Sequence, residues 1–273
     1  MTAQGRLNLS KLDGLAFTRG KHSRPEAGVC AVEAWALVRG WEFSDEPALA
    51  PATIAAFMRR WNDDIPNVSA RTRLLRPLVA ELAAQDLDLS AEAEAQRAWL
   101  AADWLVRECA PTWLDLTEAL RPHAGVLRAL APIASKDAAR SCLHALRAAA
   151  HDAWYKAGSY GGSVARAAAW YVARNFAISA AGAAACHAAG AAAGADAGDV
   201  ARCVAESAAG AAAGAAAGVD REPGAGAAPT PVRRAVEVGL RPTVARLQAS
   251  AADLVRRMAA VRVNTTVAAA EGQ

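Results

Sequence analysis

Apolar residues recur at three- and four-residue steps through most of the chain and hardly anywhere in strict alternation. That spacing marks helices rather than half-buried strands. Behind Pro51, which suits a first helical turn, Ile54, Phe57, Met58 and Trp61 form an i, i+3, i+4, i+7 stripe, and the helix is expected to end near Asn62. A shorter helix is expected from Gly28 to Arg39, stopped by Gly40. Ser69 is placed to cap another, which Pro77 kinks or breaks. Ser90, followed by Glu92 and Glu94, starts one that runs to about Cys109. Its Trp99, Leu100, Trp104, Leu105 and Val106 cover more than one face, the mark of a central helix. Pro111 opens a short helix, and Leu120 to Pro132 supplies a further short piece.

Near the C-terminus, Val244, Leu247, Ala251, Leu254, Met258 and Val261 make a heptad-like seam, too short for an independent coiled coil. Thr230 can cap this helix at Pro231, with Pro242 bending or restarting it. The seam is expected to pack back on the N-terminal domain, with a dimer contact as the alternative.

Composition changes this picture in one region. Alanine makes up about 28% of the 273 residues and crowds between Ser135 and Val219. Helices are expected there from Lys136 to Ala157, Val164 to about Gly190 and Asp199 to Gly218. Gly210, Gly214 and Gly218 would line one stripe of the last, either for close backbone approach or through drift of a low-complexity repeat. The fold class expected is all-α: an irregular helical bundle with an inserted Ala-rich helical hairpin and a returning C-terminal helix. The expected divisions are a helical N-terminal domain at 1–134, the Ala-rich tract at 135–219, a flexible linker at 220–231 and the C-terminal helix at 232–273.

Charge narrows the partners. A net charge of +3 is far from the strongly basic balance of a dedicated nucleic-acid binder. Acids such as Glu81, Asp86, Asp88 and Glu108 gather in residues 81–118, whereas Arg241, Arg246, Arg256, Arg257 and Arg262 gather near the C-terminus. Those segments are expected to complement each other within one fold. Residues 176–195 mimic a small-xxx-small membrane helix, but alanine inserts weakly and Asp196, Asp199 and Arg202 follow at once, so no span is expected. Five cysteines without CxxC spacing, behind an N-terminus lacking an apolar signal core, fit free thiols in a reducing cytoplasm.

One cluster could carry chemistry. Cys30 falls at the start of a helix, where the dipole favours thiolate; His22 lies upstream as a possible base, and Glu33 one turn along could orient it or serve as an acid. The same His22, Cys30 and Glu33 could also ligate a metal, and all three could equally be structural. Asp45, Asn62 and Asp63 are further polar candidates in the following loops, His144 and His151 share a helix face, and the adjacent Cys186 and His187 point about 100° apart. No P-loop, Rossmann glycine fingerprint, HExxH or GxSxG occurs, and no cofactor is expected.

The pattern Gly20-x-His22-x-x-Pro25-x-x-Gly28-x-Cys30-x-x-Glu33-Ala34, then Ser44-Asp45-x-Pro47, then Ile54-Ala55-Ala56-Phe57 with Trp61-Asn62-Asp63, resembles a family of uncharacterised proteins of bacteriophages and high-GC bacteria. The resemblance continues through Arg73-Leu74-Leu75-Arg76-Pro77-Leu78, Ala101-Ala102-Asp103-Trp104 and Leu240-Arg241-Pro242-Thr243. It implies a variable Ala-rich tract before the last helix and places any activity in the flanks. Where relatives commonly carry His after Asp45 and Cys before Pro51, this chain has Glu46 and Leu49. The leading functional expectation is a helical interaction or assembly protein of phage or mobile-element type, without catalysis, bound to a protein partner or to itself. The alternative is a cysteine-dependent enzyme with Cys30 as nucleophile and His22 as base, or a metal site on His22, Cys30 and Glu33.

Overall fold

A computed structural model describes residues 6–65, 67–155 and 231–263. The expected helices at 164–190 and 199–218, their glycine stripe, nearly all of the linker, and Cys186 and His187 lie outside the described residues. What is described is all-α. The only strand-like pairing among these residues is one isolated bridge between Phe17 and Val29.

Helix α1 spans Ala31–Arg39 and ends at Gly40, whose left-handed φ of 66° lets the Trp41 amide reach back to the Ala36 carbonyl. Of its nine residues only Leu37 and Arg39 are not buried, so α1 sits in the middle of the fold. Helix α2 covers Ala52–Asp64 behind Pro51. Glu94, from another helix, caps its first turn: Oε2 accepts from the Thr53 amide at 2.9 Å and the Thr53 hydroxyl at 2.7 Å.

Helix α3, Val68–Ala83, begins two residues before the position expected from Ser69. Asn67 provides the cap, its side chain accepting from the Ala70 amide; asparagine caps at least as well as serine and comes first. Pro77 stands inside α3 without ending it. Helix α4, Ala91–Trp104, is capped by Ser90. It runs into a π turn at Leu105–Cys109 and then α5, Ala110–Leu114. Pro111 has no N–H for a helical ladder, and the wider π turn directly before it accommodates the proline without breaking the rod. Helices α6 (Arg121–Ala129) and α7 (Lys136–Tyr155) follow, and α8 (Pro231–Ala259) carries Pro242 within it.

Four tryptophans, Trp35, Trp61, Trp104 and Trp113, are fully buried. Phe57 meets the rings of Trp61 and Trp104 edge-on, at 5.6 and 6.4 Å between centroids. Helix α8 closes this core with Leu240, Leu247, Ala251, Leu254, Val255 and Met258, touching α2, α3, α4 and α5. Polar contacts fix its register. Trp104 Nε1 donates to Ser250 Oγ at 2.7 Å, and the buried Arg97 donates from Nε to the Met258 carbonyl at 3.0 Å. Arg256 pairs with Glu81 at 2.7 Å and Arg257 lies 3.6 Å from Glu108, so the acidic and basic segments do meet.

Past α8, the Val263 amide donates to Asp88 Oδ2 at 2.8 Å. With the Ser90 amide it holds the Asp88 carboxyl down to about 2. A depressed carboxyl stabilises the fold above its ordinary unfolded pKa, and this contribution is lost as pH falls toward 2. No helix among the described residues is long and apolar enough to cross a membrane.

Leu254 is completely buried against this core. Leu254→Ala is expected to lower the unfolding free energy by about 3 kcal/mol, measured by urea denaturation. A change below about 0.5 kcal/mol would mean that α8 is not integral to the core.

Candidate functional site

The His22–Cys30 segment folds against the N-terminus of α1 as a closed knot of hydrogen bonds. Cys30 is the N-cap rather than a first-turn residue. Its Sγ accepts from the Glu33 amide at 3.4 Å, and the Glu33 carboxyl accepts from the Cys30 amide at 2.7 Å. This is a capping box with cysteine where serine or threonine is usual.

Glu33, fully buried, also reaches the loop: Oε1 accepts from the His22 amide at 2.6 Å and Oε2 lies 2.7 Å from His22 Nδ1. The other ring nitrogen, Nε2, is 3.0 Å from the Thr18 hydroxyl. Donation from Nδ1 to Glu33 leaves Nε2 free to accept that hydroxyl proton, since the hydroxyl's other acceptor, the Val29 carbonyl, is farther away at 3.4 Å.

Gly28 makes this approach possible. Its φ of 139° with ψ 170° is essentially restricted to glycine. A Cβ there would stand 2.6 Å from His22 Cδ2, His22 Nε2 and Thr18 Oγ1. The glycine of the motif is thus the floor on which the imidazole rests.

Two buried polar residues tie the knot to the next helices. Asn62 donates to the Thr18 carbonyl at 2.8 Å and accepts from the Ala31 amide at 3.2 Å. Arg71 donates to the carbonyls of Asn62 (2.6 Å), Phe17 (2.9 Å) and Ile65 (2.5 Å). Burial and the neighbouring Arg19 pull its pKa down. Asp63 accepts from the Gly20 amide at 2.9 Å, and Asp45 pairs with Lys21 at 3.2 Å on the outside of the cluster.

His22 and Glu33 are therefore brought together beside Cys30, as their spacing suggested. The thiol is in a different state from the one suggested by a helix start. Cys30 is 1% exposed, and burial pushes its pKa far above the ordinary thiol range, with the Glu33 carboxyl adding to the effect. Burial outweighs the helix dipole, which favours thiolate. Nor do three such groups converge as ligands: among the described residues no set of three His, Cys, Asp or Glu side chains could hold a metal ion.

Thr18 is the member that sequence reasoning missed. It lies four residues before His22, but its role depends on the Phe17–Val29 pairing, which no local pattern announces. Thr18, His22 and Glu33 have the hydroxyl–imidazole–carboxyl order of a charge relay. The hydroxyl, however, also accepts from the Val29 amide at 3.0 Å and faces Gly28, which makes it a brace between two loop segments. Elsewhere, His144 and His151 are both exposed on α7, and His123 of α6 pairs with Asp152 of α7 at 2.8 Å.

Two outcomes follow from this geometry. Gly28→Ala is expected to lower stability by about 2–4 kcal/mol, read by urea denaturation, because it combines a forbidden backbone angle with a clash against His22. An electrophilic thiol probe at neutral pH is expected to leave Cys30 unlabelled until the protein is unfolded. Preferential labelling of Cys30 in the folded protein would restore the nucleophile reading. In comparisons with known proteins, no protein-family profile, no curated protein and no solved structure matches the chain.

Proposed function

We propose that the chain is a helical interaction or assembly protein of phage or mobile-element type, engaging a protein partner or further copies of itself, and that its His22–Cys30–Glu33 motif braces the fold rather than turning over a substrate. The observation that supports this reading is the closure of the motif. Both Glu33 oxygens accept hydrogen bonds from its neighbours, His22 is held from both ring nitrogens, and the thiol is buried and kept protonated. A motif used in this way leaves recognition to the outer helix faces, where Val126 and Val238 are more than half exposed. The phage or mobile-element setting rests on the resemblance carried by that motif. A reducing cytoplasm is supported by Cys30, Cys109 and Cys142, all free and buried.

Light-scattering mass tests the self-association arm. The full chain is expected to exceed its monomer mass of 28.2 kDa, and deletion of residues 176–219 is expected to change the assembly. A monomer unaffected by that deletion, with no partner held at micromolar concentration, would overturn the proposal.

A further inference from the structure

A cleft of about 180 Å³ opens between the loop after α1 and the loop joining α3 to α4. The first loop supplies Trp41 and Leu49, the second supplies Asp86, Leu87 and Leu89, and the last residue of α1, Arg39, also lines it. Single exposed leucines are ordinary on a protein surface. Here Leu49 and Leu89, 38% and 48% exposed, share one cleft with a tryptophan ring, and that clustering marks a place where apolar matter binds.

Arg39 is held in place before any ligand arrives. Its Nη1 donates to the Ala83 carbonyl at the end of α3 at 3.0 Å, and its guanidinium lies 5.2 Å from the centre of the Trp41 ring. Its Nη2 meets Asp86 Oδ1 at 3.4 Å, a long contact to a side chain that is 99% exposed, whereas Arg39 itself is 19% exposed. A pairing that open contributes little in water. Asp86 therefore shows that a carboxylate fits this edge of the guanidinium, and shows it with an acid free to swing away into solvent.

We propose that the cleft binds a small apolar monocarboxylate, with its acid group on the Nη2 edge of Arg39 in place of Asp86 and its hydrocarbon body against Trp41, Leu49 and Leu89. Charge selects the acid: among the described lining residues Arg39 is the one cation, and its planar fork is matched by a carboxylate. The leucines select the body, since a small fully polar anion would leave them in water. Volume sets the size. The cleft is smaller than the roughly 300–1,000 Å³ of ordinary ligand pockets, so it admits one ring or a short chain rather than a stretch of polypeptide. The inference does not depend on the chain being an interaction protein.

The test titrates hydrocinnamate into the full chain and follows the amides of Leu87 and Leu89 and the indole N–H of Trp41 by nitrogen–proton correlation spectra. Saturable shifts at these groups are expected, with a Kd on the order of 1 mM for so small a ligand. Hydrocinnamide, the same body without the charge, should bind about tenfold more weakly. Asp86→Asn removes the internal competitor at a fully solvated position and should tighten hydrocinnamate binding about threefold, a response that a purely structural Arg39 would not give. Leu89→Asp, also at an exposed position, should weaken it about tenfold with the fold intact, and Arg39→Gln should abolish it. Equal affinity for acid and amide, or an unchanged affinity in Asp86→Asn, would overturn the proposal. So would N-acetylglycylphenylalanine binding more than about tenfold tighter than hydrocinnamate, because the cleft would then be built for a polypeptide C-terminus.

Discussion

The fold depends on one buried carboxyl group. Glu33 has no access to solvent, and an unbonded carboxyl in that position would cost several kcal/mol. It avoids the penalty only while two amides and an imidazole nitrogen are held around it. That requirement fixes the start of α1, the path of the loop from Thr18 to Cys30 and the orientation of His22 together. Because α1 is buried on nearly every side, fixing its start also sets where Trp35 enters the core. Arg71 extends the constraint: its three carbonyl acceptors belong to the loop and to the end of α2, where the helix dipole favours a cation.

A second clamp works at the other end of α2, with the charges arranged differently. Glu94 and Arg97, 2.7 Å apart on α4, each finish another helix. The carboxylate caps the first turn of α2, and the guanidinium bonds the last-turn carbonyl of Met258 in α8. Each charge sits at the helix end whose dipole it complements. Breaking the pair would disturb α2 and α8 at once, although the two are far apart in sequence. Arg97 also donates to the Asp88 carbonyl, so the loop that anchors Val263 belongs to the same network.

Helix identity and order were legible wherever a local rule governed them. Gly40 and Ser90 mark their helix ends as glycine and serine ordinarily do, and the seam residues Leu247, Ala251, Leu254 and Met258 are all buried. Asn67 rather than Ser69 caps α3: both qualify by residue type, and no local pattern separates two eligible caps two residues apart. The π turn was invisible because no side-chain pattern distinguishes it from α-helix. In the motif, the three-residue step from Cys30 to Glu33 is that of a capping box, a spacing that equally suits a thiol beside a carboxyl, so the sequence alone does not separate cap from chemistry. The roles of Thr18, Asn62 and Arg71 could not be read locally, since each depends on partners tens of residues away or on the Phe17–Val29 bridge.

Why a cysteine should cap α1 follows from the same burial. Position 30 must offer an acceptor to the Glu33 amide while packing within an apolar core beside Val29 and Val32. A serine hydroxyl is the stronger acceptor, but it brings an O–H that also needs a partner in a place where water does not reach. A thiol accepts weakly, donates weakly and otherwise behaves as a small hydrophobe, so it meets both demands at low penalty. The Glu33 carboxyl beside it, together with burial, keeps the proton on sulfur. The neighbours that would activate a thiol in a solvated cleft have the opposite effect here: the carboxyl that orients the histidine also holds the sulfur neutral, and the residues most suggestive of catalysis become the ones that make the helix start rigid.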